Sequence, residues 1–323
     1  MRTTAHWLTT LSKVYEITGD EVFAEAANNA ADYLLSDEAR PYGYTFHSRN
    51  AERKDKCDGL VGQAAPIRGL ARAGVVLDRT DLLETAADVF LSHPFDGQLG
   101  LWERVEIDGN VLSFDRTLNH QLTFAAAGAE LKSINSSVDD RLHWFLDCLD
   151  SNIERHPNGL IKHYVRPSPL NAIRKAVTTR RHWILLINEV VFHYYSRSIS
   201  RRKTEIGYHS VNLSSLARLK EAYFNHTFWE SELVDDVTVF VTLDEYRGAG
   251  GVFDIASGSM LPGIETAYGL LILGDQAEVT EWIMTDIEAR FDFDDGMFTK
   301  NTEDPISQAT KVYNLTFFPE MEV

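Results

Sequence analysis

DRTLNHQLTFAAAGAEL, residues 115 to 131, places its hydrogen-bonding side chains in the first seven positions and then narrows to Ala and Gly. Such a helix has a polar leading end and a slender apolar body, which suits a helix enclosed by protein with its first turns at a pocket. The same character recurs in DGLVGQAAPIRGLARAG (58–74), IGYHSVNLSSLARLKEA (206–222), GIETAYGLLILG (263–274) and SQATKVYNLTFF (307–318). HWLTTLSKVYEITG (6–19) fits the same group.

Between them lie helices of a second type, amphipathic and acidic on one side. These are GDEVFAEAANNAADYLLSDE (19–38), DRTDLLETAADVFLSH (78–93), VDDRLHWFLDCLDSNIERH (138–156), WESELVDDVTVFVTLDEY (229–246) and DQAEVTEWIMTDIEARF (275–291). Enclosed and outer helices therefore alternate. The loops YGYTFHSRN, FDGQLGLWERVEIDGN, HPNGLIKHYV and DFDDGMFTK each set aromatic or polar residues around a glycine turn, as a short hairpin would. The order of loop, inner helix and outer helix predicts an all-α fold, an (α/α)6 toroid with hairpin-like loops at one rim. One domain is expected over 1–323. A basic insert at about 166–203, with a helix around RRHWILLINEVVFHYYSR, interrupts the alternation and offers a way to complete twelve helices.

The composition narrows the function. With 48 acidic against 31 basic residues, the 323-residue chain carries a formal charge of −17, which repels nucleic acid and fits a salt-adapted host as well as an ordinary acidic protein. No apolar run reaches the roughly 18 to 20 residues of a membrane span, and the start of the chain lacks a basic-then-apolar signal pattern, so a cytoplasmic place is expected. Cys57 and Cys148 form no paired motif and read as buried small hydrophobes. Metalloprotease, serine-hydrolase and phosphate-loop motifs are absent, and no metal or cofactor is expected. The insert sets Arg166, Arg174, Lys175, Arg180, Arg181, Arg197, Arg201, Arg202 and Lys203 against the single acid Glu189. It reads either as a helix resting peripherally on an anionic surface at the inner membrane face or as a buried helix with solvated basic ends.

Asp58 and Asp115 are expected at the starts of inner helices, after equivalent loops, and so on one rim. Each reads as a helix N-cap or as a catalytic carboxylate. Asn119, His120 and Gln121 follow Asp115, and Gln63 follows Asp58, so polar groups gather where the axis would be. The loops add Trp102 and Tyr164 as flat apolar faces, and His47, Arg49 and His163 as partners for a carboxylated sugar. His120 with His209 offers the alternative of proton abstraction by histidine.

Across its whole length, through CDGLVGQAAPIRGLARAG, FDGQLGLWE, DRTLNHQLTFAAAGAEL and NGLIKHYVRP, the chain resembles the AglQ-like proteins of archaeal N-glycosylation gene clusters. The resemblance implies processing of a hexuronic acid in a lipid-linked or protein-linked glycan. More distantly, the order of features is similar to the toroidal unsaturated-uronyl hydrolases. That likeness assigns Asp58 and Asp115 to the catalytic carboxylates, with Asp115 as general acid, Trp102 to stacking and His163 to the uronate. The expectations are thus a glycoside hydrolase with carboxylate acid–base catalysis, a hexuronic acid isomerase or epimerase using histidines, or a non-catalytic glycan-binding or scaffolding component.

Overall fold

The computed structural model describes residues 1–178, 183, 199–248, 261–274 and 276–320. Its helices are α1 (Arg2–Thr18), α2 (Glu21–Leu35), α3 (Val61–Val76), α4 (Thr80–Ser92), α5 (Leu118–Gly128), α6 (Ser136–Asn152) and α7 (Pro169–Thr178). They continue with α8 (Ile199–Ala222), α9 (Glu232–Val239), α10 (Asp244–Arg247), α11 (Pro262–Leu273), α12 (Val279–Arg290) and α13 (Pro305–Ala309), the last extended by a 3-10 segment, Thr310–Phe317.

The inner segments close a ring. α1 packs on α3, α3 on α5, α5 on α8 and α8 on α11, and the Thr310–Phe317 segment touches both α11 and α1. Outside them, α2 covers α1, α4 covers α3, α6 flanks α5, and α9 and α12 cover α11. This is the expected (α/α)6 toroid. The small residues of the inner helices let the backbones come close: a Cβ on Gly69 would lie 2.9 Å from the Ala5 carbonyl oxygen of α1, and one on Gly269 would lie 2.8 Å from Leu213 Cβ of α8. Outer helices carry ordinary caps, with Asp20 accepting from the Val22 N–H at 3.0 Å and Asn135 from that of Ser137 at 2.9 Å.

The loops before the inner helices form small sheets. β1 (Phe95–Asp96), β2 (Leu101–Val105) and β3 (Val111–Phe114) are antiparallel neighbours, with Phe95 opposite Trp102 and a register shift between Glu103 and Val105. β4 (Phe291–Asp292) pairs with β5 (Met297–Phe298), and Arg155 bridges Ile161. The stretch 42–50, expected as a hairpin, is a run of turns and irregular backbone. The helix expected over 180–197 lies outside the described residues except for Trp183, and the inner ring closes without it. Among the described residues, no helix is long and apolar enough to cross a membrane. Cys57 is buried, as expected, but Cys148 is only half-buried.

Candidate functional site: the axial pit

Residues of all six inner segments meet around a cavity of about 280 Å³. Arg2 and His6 come from α1, Arg68 from α3, Asn119 and His120 from α5, Tyr208 from α8, Glu265 from α11, and Lys311 and Tyr313 from the closing segment. An adjoining cavity of about 390 Å³ shares Arg2, His6, Asp58 and Lys311 and adds Arg49 from the loop.

Neither aspartate caps its own helix. α3 starts at Val61 with Leu60 at the N-cap, and α5 starts at Leu118 with Thr117 there, in both cases without a side-chain cap bond. Asp115 instead joins two helix starts, with Oδ2 accepting from the Leu60 N–H at 3.3 Å and Oδ1 from the Thr117 N–H at 3.1 Å. His120 Nδ1 lies 3.0 Å from the same Oδ2. Burial opposes the Asp115 charge, but His120 and the two backbone donors outweigh it and hold the carboxyl at about 2. An ionised carboxylate requires Nδ1 of His120 to carry a proton, so in the neutral imidazole the lone pair lies on Nε2.

Asp58 and Gly59 both take left-handed backbone, with φ of 56° and 59°. The sharp turn sends the Asp58 carboxylate to Arg2 and Arg49, one arginine on each oxygen. It also brings Gly59 against the dyad: a Cβ there would lie 2.7 Å from Asp115 Oδ2. Asp55, which the sequence did not single out, braces this loop. It pairs with Arg49 at 3.0 Å and Arg104 at 2.9 Å and accepts from the Gly59 N–H at 3.0 Å.

His6 is the second histidine of the pit. Its ring stacks on Tyr313 with centroids 4.2 Å apart, and Nδ1 lies 3.1 Å from Thr310 Oγ1. The Thr310 hydroxyl donates to the Ser307 carbonyl at 2.8 Å, so Nδ1 of His6 must be the donor and Nε2 again keeps its lone pair. Burial first, then the charges of Lys311, Arg2, Arg68 and Arg218, lower its pKa well below the ordinary value and keep it neutral.

The floor is cationic. Arg68 is 2% exposed, and its Nε and Nη2 have no hydrogen-bond partner among the described residues. Burial and then Arg218 lower it to about 10, so it remains charged at neutral pH. Burial resists ionisation of Tyr313, but Lys311, Arg68 and Arg218 more than offset this and lower its pKa. Glu265 is the acid of this region. Burial raises its pKa, and it accepts from Ser210 Oγ at 2.8 Å. Asn119 Oδ1 is also buried with no hydrogen-bond partner among the described residues.

The other expected site residues fall elsewhere. Trp102 is fully buried among Phe90, Phe95, Phe124 and Phe145, with centroids 4.5 to 5.6 Å away, and offers no face to the pit. Gln63 and Gln121 are fully buried fasteners between an inner helix and its loop. Gln63 exchanges bonds with the Phe46 backbone at 2.7 and 3.0 Å and donates to the Cys57 carbonyl at 2.7 Å. Gln121 exchanges bonds with the Trp102 backbone at 3.2 and 3.1 Å and donates to the Asp115 carbonyl at 2.7 Å. His209 does the same for its repeat, accepting from the Ile161 N–H at 3.4 Å and reaching the Val237 carbonyl at 2.9 Å, while burial lowers its pKa to about 4.

His47 meets Asn50 at 2.7 Å on its loop, away from the cavity lining. His163 packs edge-on to Tyr164 at 4.7 Å. Burial, then the charges of Arg201 and His120, lower its pKa to about 4. The Tyr164 hydroxyl accepts from Arg201 at 3.0 Å. Among the described residues, no group of three or more His, Cys, Asp or Glu is placed to hold a metal.

No family model matches the chain. Archaeal glycosylation protein Q of Haloferax volcanii is 39% identical over 331 aligned positions, covering 100% of this chain and 89% of that protein. Among solved structures, the cellobiose 2-epimerase of Bacillus thermoamylovorans superposes with a TM-score of 0.62 at 12% identity, over 98% of this chain and 86% of its own. The cellobiose 2-epimerase of Spirochaeta thermophila gives 0.61 at 15%, over 98% and 84%, and a D-mannose isomerase 0.61 at 10%, over 98% and 87%. These last likenesses establish the shared toroid. The identity along its full length places the chain in the family of archaeal glycosylation protein Q, to which it belongs.

Proposed function

We propose that this protein is an isomerase or epimerase acting on a hexuronic acid with a free reducing end, as a sugar or oligosaccharide that feeds the glycan of archaeal protein N-glycosylation, with His120 as the base. The observation that carries this reading is the Asp115–His120 pair at 3.0 Å, in which an ionised carboxylate orients a pit-lining imidazole. In an open-chain sugar the carbon next to the carbonyl is acidic enough for an imidazole to deprotonate. Nε2 of His120 takes that proton, and the electron pair moves into an enediolate. Return of the proton to the neighbouring carbon isomerises the sugar, and return to the opposite face of the same carbon epimerises it. His6, with a second available Nε2 in the same pit, supplies another proton-handling group.

The hydrolase reading fares less well on this geometry. With Asp115 or Asp58 as general acid it needs a carboxyl that keeps its proton near neutral pH, whereas Asp115 is held at about 2 and Asp58 is clasped by Arg2 and Arg49; Glu265, whose pKa burial raises, is the pit carboxyl left for that role. The hexuronic acid assignment is supported by Arg68, a buried guanidinium with unused donors beside Lys311 in the pit. The family relation supports the pathway.

The test has two arms. In a host lacking the gene, wild type restores the full N-linked glycan, whereas His120→Ala at equal abundance leaves it stalled at the uronic acid. With purified protein and an acidic reducing oligosaccharide in D2O, NMR finds deuterium on the former carbonyl carbon of an isomerised product, or on the carbon beside the carbonyl of an epimerised one. Release of a new reducing end without deuterium incorporation means hydrolysis, and full complementation by His120→Ala means a binding role.

A further inference from the structure

We propose that Lys311 is the electrophile of the reaction assigned to the pit, its ammonium group meeting the negative charge that develops on the substrate's carbonyl oxygen. The role rests on the isomerase or epimerase reading. Drawing a proton from the carbon beside a carbonyl leaves an enediolate, and a neutral imidazole does this far faster where a cation already stands in place for the oxyanion. The C–H bond breaks, its proton goes to Nε2 of His120, its electron pair forms the new C=C bond, and the carbonyl π pair moves onto oxygen. Lys311 donates a hydrogen bond to that oxygen and keeps its own proton. In isomerisation the neighbouring hydroxyl then passes its proton to the same oxygen; in epimerisation the electron pair returns when the carbon is reprotonated.

Among the described residues, the arginine and lysine side chains lining the two joined cavities are Arg2, Arg49, Arg68 and Lys311. Arg2 and Arg49 are committed to Asp58. Arg68 and Lys311 form no ion pair among the described residues, and they are placed differently. Arg68 lines the 280 Å³ cavity alone and lies 5.6 Å from the Phe317 ring, whereas Lys311, like His6, lines both cavities. The Tyr313 ring is their common neighbour: Arg68 Cζ is 5.7 Å and Lys311 Nζ 6.0 Å from its centroid, and the His6 ring stacks on it at 4.2 Å. After burial, the charge of Lys311 is the strongest influence on the ionisation of His6, Glu265 and Tyr313, so the ammonium faces the space these groups share. An open-chain hexuronate has its permanent charge at one end and its reacting carbonyl at the other. Arg68 suits the first and Lys311 the second.

The test uses the full chain and an acidic reducing oligosaccharide in D2O. Lys311→Met is expected to lower kcat and deuterium incorporation together by on the order of 10²- to 10³-fold with KM little changed. Lys311→Arg, which keeps a charge there, recovers about tenfold or more of the loss. Tm of Lys311→Met is unchanged or raised, because the ammonium removed has no carboxylate partner and repels the neighbouring arginines. Binding gives a readout independent of turnover. A hydroxamate at the reacting end of the same acidic sugar mimics the enediolate; by calorimetry it binds wild type more tightly than the matching alditol, and Lys311→Met loses that preference. A Lys311→Met variant that keeps full kcat, or that keeps the hydroxamate preference, overturns the role of Lys311 while the isomerase or epimerase reading stands. Wild type that neither incorporates deuterium nor prefers the hydroxamate overturns that reading, and the role with it.

Discussion

Replacing Asp115 by Asn separates the electrostatic and orienting parts of the dyad. Two donors converge on Asp115 Oδ2, His120 Nδ1 at 3.0 Å and the Leu60 N–H at 3.3 Å, while the Thr117 N–H uses Oδ1 at 3.1 Å. Asparagine has one acceptor oxygen, so in either orientation its NH2 faces at least one N–H donor. The relief is for His120 to move its proton to Nε2, the atom proposed as base, and the expected loss of turnover is about 10³ to 10⁴.

Stability changes too. The carboxyl lies at about 2 in the folded protein against 3.8 for a free side chain, a difference equivalent to about 2.5 kcal/mol with His120 charged and to less with its imidazole neutral. Because the folded value is depressed, this stabilisation is present above pH 3.8 and disappears as pH falls through 2. It is about halved near pH 3. Asp115→Asn should therefore lower Tm by several degrees at pH 7, with the gap to wild type narrowing below pH 4. Thermal melts over a pH series, read beside turnover, make the measurement. A Tm gap that does not change with pH, or a variant with full turnover, would falsify the argument.

Gly59→Ala puts a Cβ 2.7 Å from Asp115 Oδ2 at a φ of 59°, so a loss of about 1 to 3 kcal/mol and a fall in turnover are expected from melts and kinetics. Gln121→Leu removes three buried hydrogen bonds to loop backbone and should cost roughly 3 kcal/mol in urea unfolding. Unchanged stability would show that the loop is held by something else. Arg68→Met keeps the volume and removes the guanidinium with its unused donors. A rise in KM for acidic but not neutral sugars is expected, and an equal rise for both would refute carboxylate recognition.

The toroid was legible because packing leaves a compositional trace. Helices enclosed on every side carry small residues such as Gly69 and Gly269, while outer helices keep one charged face. Pairing Asp115 with His120 was within reach of local spacing, but the roles of Gln63 and Gln121 were not. A buried amide with no apolar alternative reads as a ligand until the loop backbone that uses its bonds is seen. Trp102 misled in the same way, since a loop aromatic suits a sugar face or a core equally well. Arg68 left a signal in the sequence, a cation in the middle of an inner helix rich in small and apolar residues. Its companions His6 and Tyr313 had none, because their contact spans most of the chain.

That last contact bears on how the protein matures. His6 and Thr310 are separated by 304 positions, and the pit gains its cationic floor only when Arg2–Thr18 lies against Thr310–Phe317. During synthesis the first helix, with α3 on one side, must wait for the closing segment that flanks its other side to leave the ribosome. Closing so long a loop is slow but adds little entropic cost beyond that of a much shorter one. Ligand binding therefore gives a readout of ring closure, and a nascent chain halted before residue 310 would hold the dyad's sequence yet lack a pit to receive a sugar.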